Sequence, residues 1–207
     1  MKIHEFGNTN ADIVLVQPVI GRDLEYLEKE TELVRDLSGK DFYLLAVEVE
    51  DWNRDLSPWK APAVFGKEDF GGEAQKTLDE IVKLCADMNK TYYIGGYSLA
   101  GLFALWSVYQ TDIFKGVAAA SASMWYPDFI NYIKEHTPHT DAVYLSLGDK
   151  ESKTKNPMMA TVRDKAEEAY NLFIQQGIRC TFEFNSGNHF QDVDIRTAKA
   201  FSWVLKK

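Results

Sequence analysis

An α/β protein with a mostly parallel central sheet and helices on both faces is the fold class predicted for this 207-residue chain. Three observations predict it. Short continuous apolar runs, the pattern of strands buried on both faces, recur along the sequence. Longer segments with apolar residues at helical spacing separate them. No repeat, low-complexity tract or Pro/Gly/Ser linker interrupts the alternation, so one domain spanning residues 1–207 is expected.

The elements follow in order. Residues 13–16, IVLV, are apolar and mostly β-branched, which suits a buried strand. Leu24, Leu27, Val34 and Leu37 recur at helical spacing, and Ser38-Gly39 supplies a stop. Residues 42–49 are a second strand. After a long loop, Leu78, Ile81, Val82, Cys85 and Met88 mark a second amphipathic helix. A strand at 92–94 precedes a helix carrying Leu99, Leu102, Phe103, Leu105 and Trp106. Residues 117–120 and 143–147 are two more strands, with helices near 127–134 and 158–175. Residues 179–184 alternate, with Cys180, Phe182 and Phe184 on one face, as an edge strand does. A last helix carries Val193, Ile195, Ala198, Phe201 and Val204.

Composition narrows the function. The formal net charge is −8, from 31 acids and 23 bases, and no Lys/Arg cluster is present. Nucleic acid and anionic membrane are therefore poor partners. Cys85 and Cys180 have no metal-ligand spacing and suit a reducing compartment. The first residues, MKIHEFGNTNADIVLV, lack the apolar core of a signal peptide, and no run approaches the ~18 apolar residues of a membrane span. The expected location is the cytoplasm, with no membrane attachment.

In an open parallel sheet, ligands bind beyond the carboxyl ends of the strands. Loops that follow strands are thus the candidates for chemistry. One of them lies in TYYIGGYSLAGLFALW, where Gly95, Gly96, Tyr97 and Ser98 join a strand to a helix. A dinucleotide fingerprint would place a glycine at the Ser98 position, and a P-loop would place a lysine after Gly101, where Leu102 stands. The remaining reading is a nucleophile elbow, G-x-S-x-G, with Gly96 and Ala100 as the small residues two before and two after the serine. This pattern arises by chance in roughly one of seven chains this long. Its weight comes from its seat between a buried strand and a helix.

An elbow serine needs a base and an acid, following it in the order Ser, acid, His. His189 is the histidine that follows Ser98 in a loop after a strand. His136 and His139 precede a strand and belong to the opposite rim, and His4 has no visible role. No metal site and no cofactor are expected. Asp149 and Glu151, in LSLGDKE, could each orient the imidazole. The oxyanion hole would use the Leu99 N–H and one amide after the first strand, where Pro18 lacks an N–H and Val19 is the candidate. Trp52, Trp59, Phe65, Trp125 and Tyr126 fall in loops at the same rim and suit an aromatic substrate pocket. Arg54 and Asp55 read as a structural ion pair.

Several short segments, in order, resemble the putative esterase family of α/β-hydrolases, which includes esterase D and enterochelin-type esterases. They are NRDLSPW at 53–59, FGGEAQKTLDEI at 70–81, GGYSLAG around Ser98, SASMWY at 121–126, GDKE at 148–151 and GNH at 187–189. The resemblance implies the α/β-hydrolase fold and serine-dependent hydrolysis of a small ester or thioester, with Ser98 as nucleophile, His189 as base and Glu151 as acid. It also implies a sheet trimmed at its N-terminal edge, since there is little room before residue 13 for the two first strands of the full fold. The oxyanion segment departs from the family in lacking His-Gly. A non-catalytic binding or scaffold module on the same fold, or an acyltransferase using the same acyl-enzyme, are the alternatives.

Overall fold

The computed structural model describes residues 1–206. Strand β1 (Lys2–Gly7) leads to β2 (Ile13–Val19), helix α1 (Leu24–Ser38) and β3 (Tyr43–Glu48). The long loop that follows holds a short helix, α2 (Trp52–Asp55), and a ribbon of β4 (Lys60–Ala61) with β5 (Phe70–Gly71). Then come α3 (Ala74–Leu84), β6 (Thr91–Tyr97), α4 (Leu99–Ser107), β7 (Phe114–Ala120) and α5 (Phe129–Glu135). The chain continues through β8 (Ala142–Gly148), α6 (Val162–Gln175), β9 (Arg179–Asn185) and α7 (Val193–Val204).

Among the described residues, seven strands form the main sheet in the order β1-β3-β2-β6-β7-β8-β9. Every pairing in it is parallel except β1 with β3. Strand β2 shows how the two faces are filled. Val14 and Val16 enter the core shared with Leu78 of α3, Phe103 of α4, Phe129 of α5 and Ala166 of α6. Leu15, between them, enters the core shared with Val34 of α1 and Phe201 of α7. Successive side chains of a strand point to opposite faces, so a run apolar at every position needs helices on both.

Three features differ from the sequence reading. Strand β1 is new, because its half-exposed residues carry too little apolar signal to stand out. It is the one strand, among the described residues, that precedes β2. Helix α3 stops at Leu84, with Cys85 as its cap. Met88 is 93% exposed, because the Asp87 side chain accepts the Asn89 N–H at 3.0 Å and turns the chain away. The loop at 50–72 is also more ordered than expected. The Asp51 side chain caps α2 by accepting the Arg54 N–H at 2.9 Å. Arg54 Nε in turn donates to Asp55 Oδ1 at 2.7 Å, while Asp55 Oδ2 accepts the N–H of Glu50 and of Asp51. Among the described residues no helix is long and apolar enough to cross a membrane.

Close packing behind the site leaves Gly95 no room for a side chain. A Cβ there would lie 2.7 Å from the Ala118 Cβ and carbonyl oxygen and from Phe201 Cζ. Gly95→Ala is expected to destabilise the protein by about 1–3 kcal/mol, read from the midpoint of urea unfolding. An unchanged midpoint would show that the α7 side of the sheet gives way more easily than these contacts allow.

Candidate active site

Strand β6 passes directly into α4 through Ser98, whose φ of 58° and ψ of −120° place a non-glycine residue at positive φ. Such backbone costs about 1–3 kcal/mol and persists only where the surroundings hold it. Here the Ser98 N–H donates to the Ala120 carbonyl at 3.1 Å. Its own carbonyl accepts from the N–H of Leu102 and of Ser123, each at 3.1 Å. The turn is so tight that a Cβ on Gly96 would lie 2.7 Å from the Ala100 Cβ. This is the crowding that requires small residues two before and two after the serine.

Two loops at the same end of the sheet converge on Ser98. His189, from the loop after β9, places Nε2 3.0 Å from Ser98 Oγ. Its Nδ1 lies 2.7 Å from Oε2 of Glu151, which comes from the loop after β8. The other carboxylate oxygen, Oε1, accepts from the Ser121 hydroxyl at 2.7 Å, the Gly148 N–H at 2.5 Å and Arg196 Nη1 at 3.2 Å. All of these partners are donors, so the carboxylate is left to accept the Nδ1 proton. That tautomer leaves Nε2 unprotonated and facing the serine hydroxyl. Asp149, the other candidate acid, does not reach the imidazole. Its Oδ1 accepts the Gly187 N–H at 2.7 Å, and Lys150 N–H donates to the Gly187 carbonyl at 3.1 Å, so this turn fastens the histidine loop to the end of β8.

Ser98 and His189 open onto a cavity of about 470 Å³. Trp52, Phe65 and Trp125 line one part of it, on the side of the sheet covered by α3 to α6. Trp59 and Tyr126, expected beside them, do not line it. Tyr126 is fully buried, with its hydroxyl donating to the Trp59 carbonyl at 2.5 Å, and Trp59 Nε1 donates to the Pro127 carbonyl at 3.1 Å. These two rings meet edge to face and pin the 50–72 loop onto α5; sequence position places a ring at the rim but not the direction it faces. The Val19 expectation is corrected too. The Val19 carbonyl accepts the Val49 N–H at 2.9 Å, and in a parallel ladder the N–H and C=O of one residue face the same neighbour. The Val19 N–H is therefore turned to β3, and the next amide, Ile20 N–H, donates to Asp23 Oδ2 at 3.1 Å. Leu99 begins α4, so its N–H has no intrahelical acceptor.

Known structures with this arrangement of strands are numerous. The siderophore hydrolase EstA from Aspergillus nidulans superposes with a TM-score of 0.67 at 18% identity, covering 96% of this chain and 85% of its own. The enterobactin esterase FES from Shigella flexneri gives 0.64 at 15% identity, covering 98% of this chain but 54% of its own. The chain has the α/β-hydrolase fold. Among curated proteins, the uncharacterized protein YbbA of Bacillus subtilis (strain 168) is 21% identical, with 81% of this chain and 74% of YbbA aligned. No protein-family model matches the chain.

On this α/β-hydrolase scaffold, several polar residues around the site escaped the sequence reading. Arg196, 1% exposed, joins α7 to the site by donating to Glu151, to the Tyr97 hydroxyl at 3.0 Å and to the Ser186 carbonyl at 2.9 Å. The Tyr97 hydroxyl donates to the His189 carbonyl at 2.8 Å. The available signal for Arg196 is a charge beside Thr197, Ala198 and Ala200 in a helix that buries all of them. Ser121, at φ 44°, is a second non-glycine residue at positive φ beside the site, and such residues cluster at functional sites. The cysteines lie outside this network; burial pushes both the Cys85 and the Cys180 thiol up to about 12.

Proposed function

We propose that this protein is a serine esterase that hydrolyses a small carboxylic ester or thioester through an acyl-enzyme on Ser98. The observation that carries this reading is the hydrogen-bonded chain from Ser98 through His189 to Glu151, at 3.0 and 2.7 Å, opening on the cavity. The descriptions of EstA as a siderophore hydrolase and of FES as an enterobactin esterase support it.

In this mechanism Ser98 Oγ attacks the acyl carbon while its proton passes to His189 Nε2. Glu151 holds the imidazole in place and stabilises its charged form. The Leu99 N–H stabilises the oxyanion; one such donor contributes about 10²–10³-fold in kcat. The intermediate collapses as His189 returns the proton to the departing alcohol or thiol. Water then repeats the sequence on the acyl-enzyme: it loses a proton to His189, releases the acid and regenerates the Ser98 hydroxyl. The free thiols of Cys85 and Cys180 fit a reducing compartment, and the cytoplasm is the proposed site of action.

A fluorophosphonate probe tests the reading. It is expected to add to Ser98, located by peptide mass spectrometry, and to abolish turnover of p-nitrophenyl acetate in step with labelling. A wild-type protein that neither reacts with the probe nor turns over the ester would overturn it.

A further inference from the structure

The cavity at Ser98 has a second part, over the opposite face of the sheet, where α1 and α7 pack together. It is lined by Gln17 from the end of β2, Glu30 and Tyr26 from α1, and Asp194 from α7. Gln17 and Glu30 are 5% and 3% exposed, yet Gln17 Oε1 and Glu30 Oε1 have no hydrogen-bond partner. Buried acceptors left unpaired are costly, so native proteins keep few of them without reason. Nor does any base neutralise Glu30 among the described residues. Lys29 Nζ is committed to Asp194 Oδ2 at 2.5 Å, and Arg22, 80% exposed, lies 3.8 Å from Asp23. The sequence places Glu30 one turn from Leu27 and one turn from Val34, on the buried stripe of α1. Packing alone would put an apolar residue there.

We infer that this part of the cavity is a subsite for a primary ammonium group, so that the ester cleaved at Ser98 carries a protonated amine. Resting on the esterase reading, the assignment adds the class of substrate. A primary ammonium brings three donors and one positive charge and no acceptor. The Glu30 and Asp194 carboxylates offer acceptors, with Glu30 supplying the charge that no neighbouring base offsets. A quaternary ammonium would leave the same acceptors unpaired. Burial holds the Glu30 carboxyl well above the usual carboxylate range; the Gln17 amide opposes that shift, while Asp194 and Asp23 add to it. A cation entering the subsite would favour the charged carboxylate and draw the proton off.

The test compares ethyl 6-aminohexanoate with its neutral isostere, ethyl heptanoate, and with ethyl 6-hydroxyhexanoate. Hydrolysis by the wild-type protein is followed by acid release, and binding to Ser98→Ala by NMR titration. The amino ester is expected to exceed the isostere by about 10–150-fold in kcat/KM and in affinity, the range for hydrogen bonds to charged groups. Glu30→Gln is expected to collapse that ratio, which is independent of the fraction of variant that folds. Equal binding of amino ester and isostere, equal binding of amino and hydroxy esters, or a ratio unchanged in Glu30→Gln would each overturn the subsite. Preferential binding of the amino ester with no hydrolysis of any ester would instead uphold the subsite and sink the esterase reading.

Discussion

Replacing Ser98 with alanine is expected to lower kcat for p-nitrophenyl acetate by about 10⁶-fold, the scale on which serine hydrolases lose activity when the nucleophile is removed. The expectation follows from the positions of three groups. His189 Nε2 has Ser98 Oγ at 3.0 Å as its partner, and Ser123 Oγ, 3.3 Å from Ser98 Oγ, hangs on a different backbone. Ser123 does not stand on the elbow and has no helix start behind it to receive an oxyanion. Stability should move independently of activity. The serine sits at φ 58°, a conformation that glycine adopts without penalty. Ser98→Gly is therefore expected to be as inactive as Ser98→Ala but more stable, by about 1 kcal/mol, in urea unfolding. Retention of more than a hundredth of wild-type kcat in Ser98→Ala would transfer the nucleophile to another residue.

The second large effect concerns the acid. Glu151→Gln is expected to reduce kcat by about 10⁴-fold while Asp149→Asn stays within about tenfold of wild type. In Glu151→Gln the amide oxygen remains on the side of Gly148 N–H, Ser121 and Arg196, which all donate. The amide NH₂ then faces His189 Nδ1, so Nδ1 must accept and the ring proton moves to Nε2. A protonated Nε2 cannot take the proton of Ser98. The same change leaves the buried Arg196 guanidinium without its carboxylate partner, which is 3.2 Å away in the native protein. Loss of one partner of a buried pair costs about 3–5 kcal/mol, so Tm should fall together with kcat. Asp149→Asn keeps an oxygen able to accept the Gly187 N–H, and the histidine loop stays in place. Should Asp149→Asn prove the more damaging of the two when kcat is measured, the imidazole would have to be oriented from the other carboxylate.

Much of this molecule is legible along the chain. The strand run at 13–16 is apolar at every position, and those at 42–49 and 143–147 are apolar but for Glu48 and Ser146; that pattern is stable only between two layers of helices. Gly96 and Ala100 bracket Ser98 because two elements collide there, a constraint that acts within five residues and so is written locally. Chain order alone narrows the base to His189, since only loops after strands reach the carboxyl end of the sheet. Strand β1 and the ribbon of the 50–72 loop are not legible, because short, half-exposed segments acquire their shape from pairing partners far away in sequence.

What the sequence determined by itself is therefore the class of fold, the elbow and the candidates for the site, since each rests on spacing within one element or on element order. The tertiary structure set Glu151, and not Asp149, against His189 Nδ1, because two acids two residues apart differ only in which way a turn aims them. It turned Trp59 and Tyr126 into the packing of a loop and faced the Val19 amide into the sheet. It also brought Arg196 against Glu151, and Gln17, Glu30 and Asp194 around one cavity. Those groups come from different strands and helices, and only packing of the complete sheet sets the distances and the low-dielectric surroundings on which their chemistry depends.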